Sequence, residues 1–359
     1  MRLGAAARSL AAIGASCVLV TLALIVLGAS PGTVFAALAA GAFGSWLACA
    51  DTLVKATPLL FCALAIAIAF EGALWNIGAD GQLITGALVS GACGQRLVQW
   101  PHPLAILAML AAGAVGGAAW GGIAGWLRAR RNVSEVIGTI MLNFTAAQLL
   151  SWSVHGPLME PTHAFPKSAP IAASAELQFY FAPSRLNCGM LLGVLLAGCC
   201  YVFLFHAAAG FELRAMGRNR RAAEYFGIET ARLTVIAMII SGALAGLGGA
   251  VQIAAITHRL YETLSPGWGY EAIAVALVAR LNPLAIVPTA ILFGALDNGA
   301  QAMQRSAGVS PVLVHVIQAL VIMLMLAFDS LAVRRMRGVT ADAFIPGEVA
   351  AGVADHVDA

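Results

Sequence analysis

Long apolar runs separated by short polar breaks dominate the chain, at 10–29, 55–70, 82–98, 102–126, 134–154, 186–206, 231–257 and 311–330. Each is near the length of about 20 residues that carries a helix across a hydrocarbon core at a rise of about 1.5 Å per residue. A further apolar stretch at 269–299 is interrupted by glycine and proline, and counted as two passes it brings the total to about ten crossings. The first run follows Arg2 and Arg8, and Gly28-Ala29-Ser30 loosely resembles a cleavage site. Its length reads as a retained first span rather than a cleaved signal.

Composition closes off the other classes. Hydrophobic residues make up 60% of the 359 positions and charged ones 10%, with a mean hydropathy of +0.87. A soluble globule carries about 25% charge, a disordered chain is poor in apolar residues, and an outer-membrane barrel alternates apolar with polar. The fold class expected is an all-α polytopic membrane protein with some broken or half-length helices. A net charge of +3 gives no reason to expect a nucleic-acid partner.

The placement of the charges orients the chain. With the N-terminus inside, thirteen basic residues fall inside, among them Arg128, Arg130, Arg131, Arg214, Arg218, Arg220, Arg221, Arg232, Arg334, Arg335 and Arg337, against six outside. The positive-inside rule then places both termini in the cytoplasm. A membrane domain over 1–337 would carry an external loop at 155–185, with five prolines, and an arginine-rich internal loop at 207–230. The acidic segment 338–359 reads as a disordered cytoplasmic tail.

Within the spans, Gly113, Gly117, Gly121 and Gly125 form overlapping GxxxG steps, and Ser241, Ala245 and Gly249 lie beside Gly242, Gly246 and Ala250. Such ridges let helices approach closely. The stretch Glu71-Gly72-Ala73-Leu74-Trp75-Asn76-Ile77-Gly78-Ala79-Asp80-Gly81-Gln82 is too polar and glycine-rich for a lipid-facing helix. It is either a broken segment lining a pathway or a plain cytoplasmic turn. A second interruption, from Ser265 to Glu271 and again at Arg280-Leu281-Asn282-Pro283, brackets a helix too short to span.

Polar side chains in these runs have structural and functional readings. Asn132-Val133-Ser134-Glu135 has capping-box spacing, Glu271 suits the first turn of a helix, and Asp297-Asn298-Gly299 reads as a turn at a helix end. Asn143 and Gln148 have no such local role, so they should face other helices or an aqueous lumen. Trp75, Asn76, Gln82, Asn143 and Gln148 are the candidate translocation-path residues, since neutral amides and an indole suit an uncharged polyhydroxy or heterocyclic solute.

Energy must come from elsewhere. No GxxxxGK[ST] phosphate loop is present, and neither lysine, Lys55 or Lys167, follows such a loop. No HExxH motif occurs, the seven histidines show no i, i+4 pairing, and the seven cysteines form no CxxC. No metal, cofactor or catalytic residue is expected.

The internal stretch Gly217-Arg218-Asn219-Arg220-Arg221-Ala222-Ala223-Glu224-Tyr225-Phe226-Gly227-Ile228 reads as a short amphipathic helix with Ala222, Ala223 and Phe226 on one face. Its Arg221-Ala222-Ala223 followed by Gly227 resembles the EAAxxxG pattern of bacterial ABC importer permeases, with arginine in place of the usual glutamate. NIGADGQ, NVSEVIGTIMLN, GRNRRAAEYFGI, SGALAGLGGA and GYEAIAVALVARLNP followed by LFGAL stand in the order of the branched-chain amino-acid/ribose type permease family, sugar and nucleoside branch. The resemblance covers about residues 50–330, departing from many relatives at Trp75 and at Arg280-Leu281.

It implies a multi-pass permease of the bacterial inner membrane that works by alternating access. A separate ABC ATPase, a second related permease, most simply as a heterodimer, and an extracytoplasmic solute-binding lipoprotein would be its partners, and a simple sugar or nucleoside its substrate. Arg214, Gly217, Asn219, Arg221, Ala222, Ala223 and Gly227 would then meet the ATPase. The rival reading is a secondary transporter driven by an ion gradient.

Overall fold

The computed structural model describes residues 30–163, 165–179 and 184–307, with isolated helical positions between 14 and 25 and between 312 and 323. The expected spans at 10–29 and 311–330 and the acidic tail lie outside these continuous stretches. All helices below belong to the compact unit Ser30–Val314.

The order is α1 (Pro31–Phe43), α2 (Trp46–Glu71), α3 (Ala79–Gly94), α4 (His102–Arg131), α5 (Glu135–His155), α6 (Cys188–His206), α7 (Ala208–Arg218), α8 (Arg220–Tyr225), α9 (Thr230–Gln252), α10 (Trp268–Val278) and α11 (Pro283–Ala307). Among the described residues the only extended pairings are isolated bridges, so the fold is an all-α membrane bundle. Six helices are long and apolar enough to cross a membrane, namely α2, α4, α5, α6, α9 continued to Thr257, and α11, while α1 and α10 are shorter apolar helices.

Burial separates a core from a periphery. Every residue of α2 from Ala56 to Ala69 is buried, as expected for a helix that is apolar all round. It packs against α9, α10, α11 and α6, and α3 packs against both α4 and α9. The outer faces of α4, α5 and α6 remain open, with Ile137, Met141, Phe144 and Trp152 of α5 exposed. Such faces suit lipid or a second membrane subunit.

The glycine ridges meet each other. A Cβ on Gly117 would collide with the Gly242 carbonyl, and one on Gly246 with the Gly113 carbonyl, so the α4 and α9 backbones touch directly. Gly249 is likewise seated on the Leu83 carbonyl of α3. Three helices are thereby drawn together by absent side chains, where dispersion does the work of association in lipid.

Several local expectations change. Asn132 does not open a capping box: it is left-handed (φ 52°), closes α4, and its Oδ1 accepts from Arg128 at 3.1 Å. Glu135 instead pairs with Arg128 at 3.0 Å, tying α4 to α5. Asp297-Asn298-Gly299 lies inside α11 rather than at a turn. Asp297 pairs with Lys55 at 3.1 Å, and the Asn298 amide donates to the Gly41 and Ala48 carbonyls, each at 3.0 Å. These bonds also explain why α2 starts at Trp46: Asp51, Thr52 and Lys55 interrupt the apolar pattern, but Thr52 and Lys55 are satisfied by Ala42, Asn298 and Asp297. Helix α1 was not anticipated by the apolar runs.

The two hydrophilic stretches lie at opposite ends of α6. At one end, Glu160 is buried and accepts from Arg259 at 2.9 Å, with Lys167 at 3.3 Å, pinning the 155–172 loop to the segment after α9. The Thr162 hydroxyl, then Lys167 and Arg259, hold the Glu160 carboxyl below the usual glutamate range. At the other end, 207–230 folds into two helices, α7 and α8, beside Arg130, Arg131 and Arg232.

Candidate functional site

Helix α2 ends at Glu71, Gly72 caps it, and Ala73 takes a left-handed conformation (φ 54°) that turns the chain back. The chain then runs without helix to Gly78, where α3 starts. The segment returns into the bundle. Asn76 is 0% exposed, and its amide donates to Gln82 Oε1 at 3.0 Å and to Ser241 Oγ at 2.8 Å. Its Oδ1 accepts from the Gly78 N–H at 2.9 Å and from Gln82 Nε2 at 3.2 Å. The Ser241 hydroxyl donates to the Ala65 carbonyl at 2.6 Å, so one node joins α2, the break, α3 and α9. Ala65 lies about 9 Å along α2 from Glu71 at 1.5 Å per residue, which sets the node inside the bundle.

A second node lies beside it. Asn143 of α5 accepts from the Gly81 N–H at 2.9 Å and donates to the Ile77 carbonyl and to the Tyr270 hydroxyl, both at 2.9 Å. Asp80 accepts from Ser265 Oγ at 2.7 Å and from the Gly269 N–H at 3.0 Å, fixing the start of the half-length helix α10. A carboxylate at a helix N-terminus is stabilised by the local N–H groups and the dipole. Irregular backbone at this depth is thus satisfied by protein, as a membrane interior demands.

The five expected path residues separate into two groups. Asn76, Gln82 and Asn143 are buried and spend their amides on the broken segment, whereas Trp75 and Gln148 are exposed. The Trp75 ring rests against Phe70 with centroids 4.9 Å apart. Sequence reasoning passed over Ser241, Ser265 and Tyr270. The cue for Ser241 and Ser265 was a polar side chain beside a glycine ridge or a breaker; Tyr270 had only its place in the first turn of a half helix.

The arginine-rich end carries the second set. Helix α7 packs its Leu213 and Met216 onto Gly72, and a Cβ on Gly217 would strike the Glu71 carbonyl, so α7 lies directly on the end of α2. The Arg214 guanidinium sits 4.9 Å from the centre of the Phe205 ring. Asn219 separates α7 from α8 and caps α8, its Oδ1 accepting from the Ala222 N–H at 3.1 Å. Ala223 is buried, Arg221 is exposed, and Gly227 adopts the left-handed φ of 84° that ends the helix. The expected common face for Ala222, Ala223 and Phe226 does not hold: Ala223 turns inward while Tyr225 and Phe226 are 88% and 81% exposed. The Thr230 hydroxyl and Arg220 hold the Glu224 carboxyl below its usual range and anchor this knuckle to α9.

Residues 48–326 match the family described as branched-chain amino acid transport system / permease component. The chain belongs to this family. Among curated relatives of the permease, the glucose ABC transporter permease protein TsgB13 of Haloferax volcanii is 31% identical over 86% of this chain and 83% of its own. The guanosine ABC transporter permease protein NupP of Bacillus subtilis is 33% identical over 88% of this chain and 91% of its own. A second guanosine permease protein of the same bacterium, NupQ, is 28% identical over 68% of this chain and 78% of its own. Permeases of this kind therefore occur in pairs within one organism. In the permease described here, the polar break and the arginine-rich knuckle both fall inside the matched region.

Proposed function

We propose that the permease is the membrane-spanning subunit of an ATP-driven importer of a simple sugar or nucleoside, working by alternating access. The observation that carries this reading is that α7 joins the exposed aromatics of the arginine-rich end to the start of the polar break. Tyr225 and Phe226 offer an apolar surface at the arginine-rich end, and the adjoining α7 rests on Glu71 and Gly72, four residues before the Asn76 node. Two large exposed aromatics on a basic surface suit a protein partner rather than water. A push there reaches the start of the break through the Gly217–Glu71 backbone contact and through Leu213 and Met216 packed on Gly72.

On this reading the arginine-rich end is cytoplasmic, and an ABC ATPase seats against Arg214, Gly217, Asn219, Arg221, Ala222, Ala223 and Gly227. A second, related permease covers the open face of α5, as the paired relatives suggest, and a solute-binding lipoprotein delivers solute at the 155–185 end. Trp75 and Gln148 would face the solute, while Asn76, Gln82 and Asn143 hold the lining in shape. The nucleotide cycle supplies the differential free energy that shifts the two arrangements.

The test is to replace Tyr225 and Phe226 together with serine and purify the assembled importer. Loss of ATPase association and of uptake, with normal membrane insertion, is the expected result. Unchanged association, or uptake that persists on an ion gradient after the ATPase is removed, overturns the proposal.

A further inference from the structure

Tyr270 stands in the first turn of α10 with 44% of its surface exposed. Its partner Asn143 lies about 12 Å along α5 from the arginine-rich end and about 18 Å from the other, at 1.5 Å per residue. That depth is away from the interfacial belts where tyrosine hydroxyls ordinarily find water.

The bonding of the pair fixes which way the phenol works. Asn143 uses both amide protons, on Ile77 and Tyr270, and its oxygen takes the Gly81 N–H. The phenol oxygen is thereby held as an acceptor from the amide. Among the described residues no group takes the Tyr270 hydroxyl proton. A phenol has one O–H donor, and at this depth that donor needs an acceptor other than lipid.

We propose that Tyr270 is a solute-contact residue, donating its hydroxyl proton to a hydroxyl or carbonyl oxygen of an uncharged solute, with Asn143 as the positioning residue that keeps the phenol a donor. This inference rests on the importer reading above. It assigns discrimination between solutes to the permease itself, beyond whatever a binding protein selects. The ring offers a flat apolar face beside the hydroxyl, which suits a pyranose face or a heterocycle.

The experiment uses the assembled importer in proteoliposomes with its binding protein and ATP. Tritiated guanosine and glucose are the parent probes, each compared with monodeoxy and deoxo analogues at concentrations that saturate the binding protein. With wild type, one analogue lacking the accepting oxygen is expected to move about three- to tenfold more slowly than its parent, the range of one neutral hydrogen bond. With Tyr270→Phe, that analogue and the parent should move at equal rates, while association with the ATPase is unchanged. Asn143→Asp keeps an acceptor for Gly81 but reverses the bond to the phenol, so it should flatten the same discrimination although the hydroxyl remains.

If Tyr270→Phe slows every analogue by one common factor, or leaves all rates unchanged, the inference is overturned. If wild type shows no analogue preference, it is overturned as well. Transport of neither parent by wild type, or transport without ATP, instead overturns the substrate class or the importer reading on which it rests.

Discussion

Gly117→Ala is the sharpest test of the packing. A Cβ at position 117 would collide with the Gly242 carbonyl and sit 2.7 Å from Gly246 Cα and 2.9 Å from Gly246 N. All three atoms are backbone, so no rotamer change relieves the contact, and α4 must recede from α9 by about an ångström. A gap of 0.5–1 Å costs neighbouring contacts about a quarter to a half of their dispersion energy, and overpacking of this kind costs about 1–3 kcal/mol. Gly198→Ala on α6 is the control, because nothing lies within 4 Å of its Cβ position; it should gain up to about 1 kcal/mol of helix propensity. The two substitutions are chemically identical and share that propensity gain, so their difference, about 1–3 kcal/mol, isolates the contact. Equilibrium unfolding in mixed micelles, followed by tryptophan fluorescence, reads it. Gly242→Ala should behave like Gly117→Ala, and the double variant should cost less than the sum, since one helix separation relieves both. If Gly117→Ala and Gly198→Ala agree within about 0.5 kcal/mol, the backbones of α4 and α9 are not in contact.

Three other outcomes follow from the same contacts. Asn76→Ala strands the Gly78 N–H and both ends of the Gln82 amide, and should cost about 1–3 kcal/mol in the same unfolding assay while abolishing uptake. At Gly227, where φ is 84° and no atom lies within 4 Å of a Cβ, a side chain costs only backbone strain, about 1–2 kcal/mol; Gly227→Asn should therefore retain more ATPase in pull-down than Gly227→Val. For Glu160 the folded pKa is depressed, so its contribution is present above the unfolded value and is lost as pH falls through the lower folded one. Hydrogen exchange in 155–172 should accelerate below about pH 4 in wild type, and Glu160→Gln should show fast exchange at every pH.

The membrane class, most spans and the break at 71–82 were legible because hydrocarbon imposes a long-wavelength pattern on sequence. Helix α1 and the first turns of α2 were not, because Asp51, Thr52 and Lys55 look like loop until Asp297 and Asn298, some 240 residues later, supply partners for Lys55 and Thr52. The turn expected at Asp297-Asn298-Gly299 failed for the same reason: short-range propensity yields when a buried amide can donate to the Gly41 and Ala48 carbonyls of neighbouring helices.

The site divides along the same line. The polar residues Asn76, Gln82 and Asn143 could be singled out by type and setting, since an unpaired amide in a membrane is costly. Whether each faces a solute or braces the backbone depends on where its donors and acceptors end, and those ends lie on Ser241, Gly81, Ile77 and Tyr270. Residue chemistry and spacing alone therefore determined that the chain is a membrane bundle with a glycine-seamed interior, a polar break and a basic knuckle. The tertiary structure decided which amides are already spent and that α7 lies on the end of α2, because hydrogen-bond saturation and backbone contact are properties of pairs brought together only by folding.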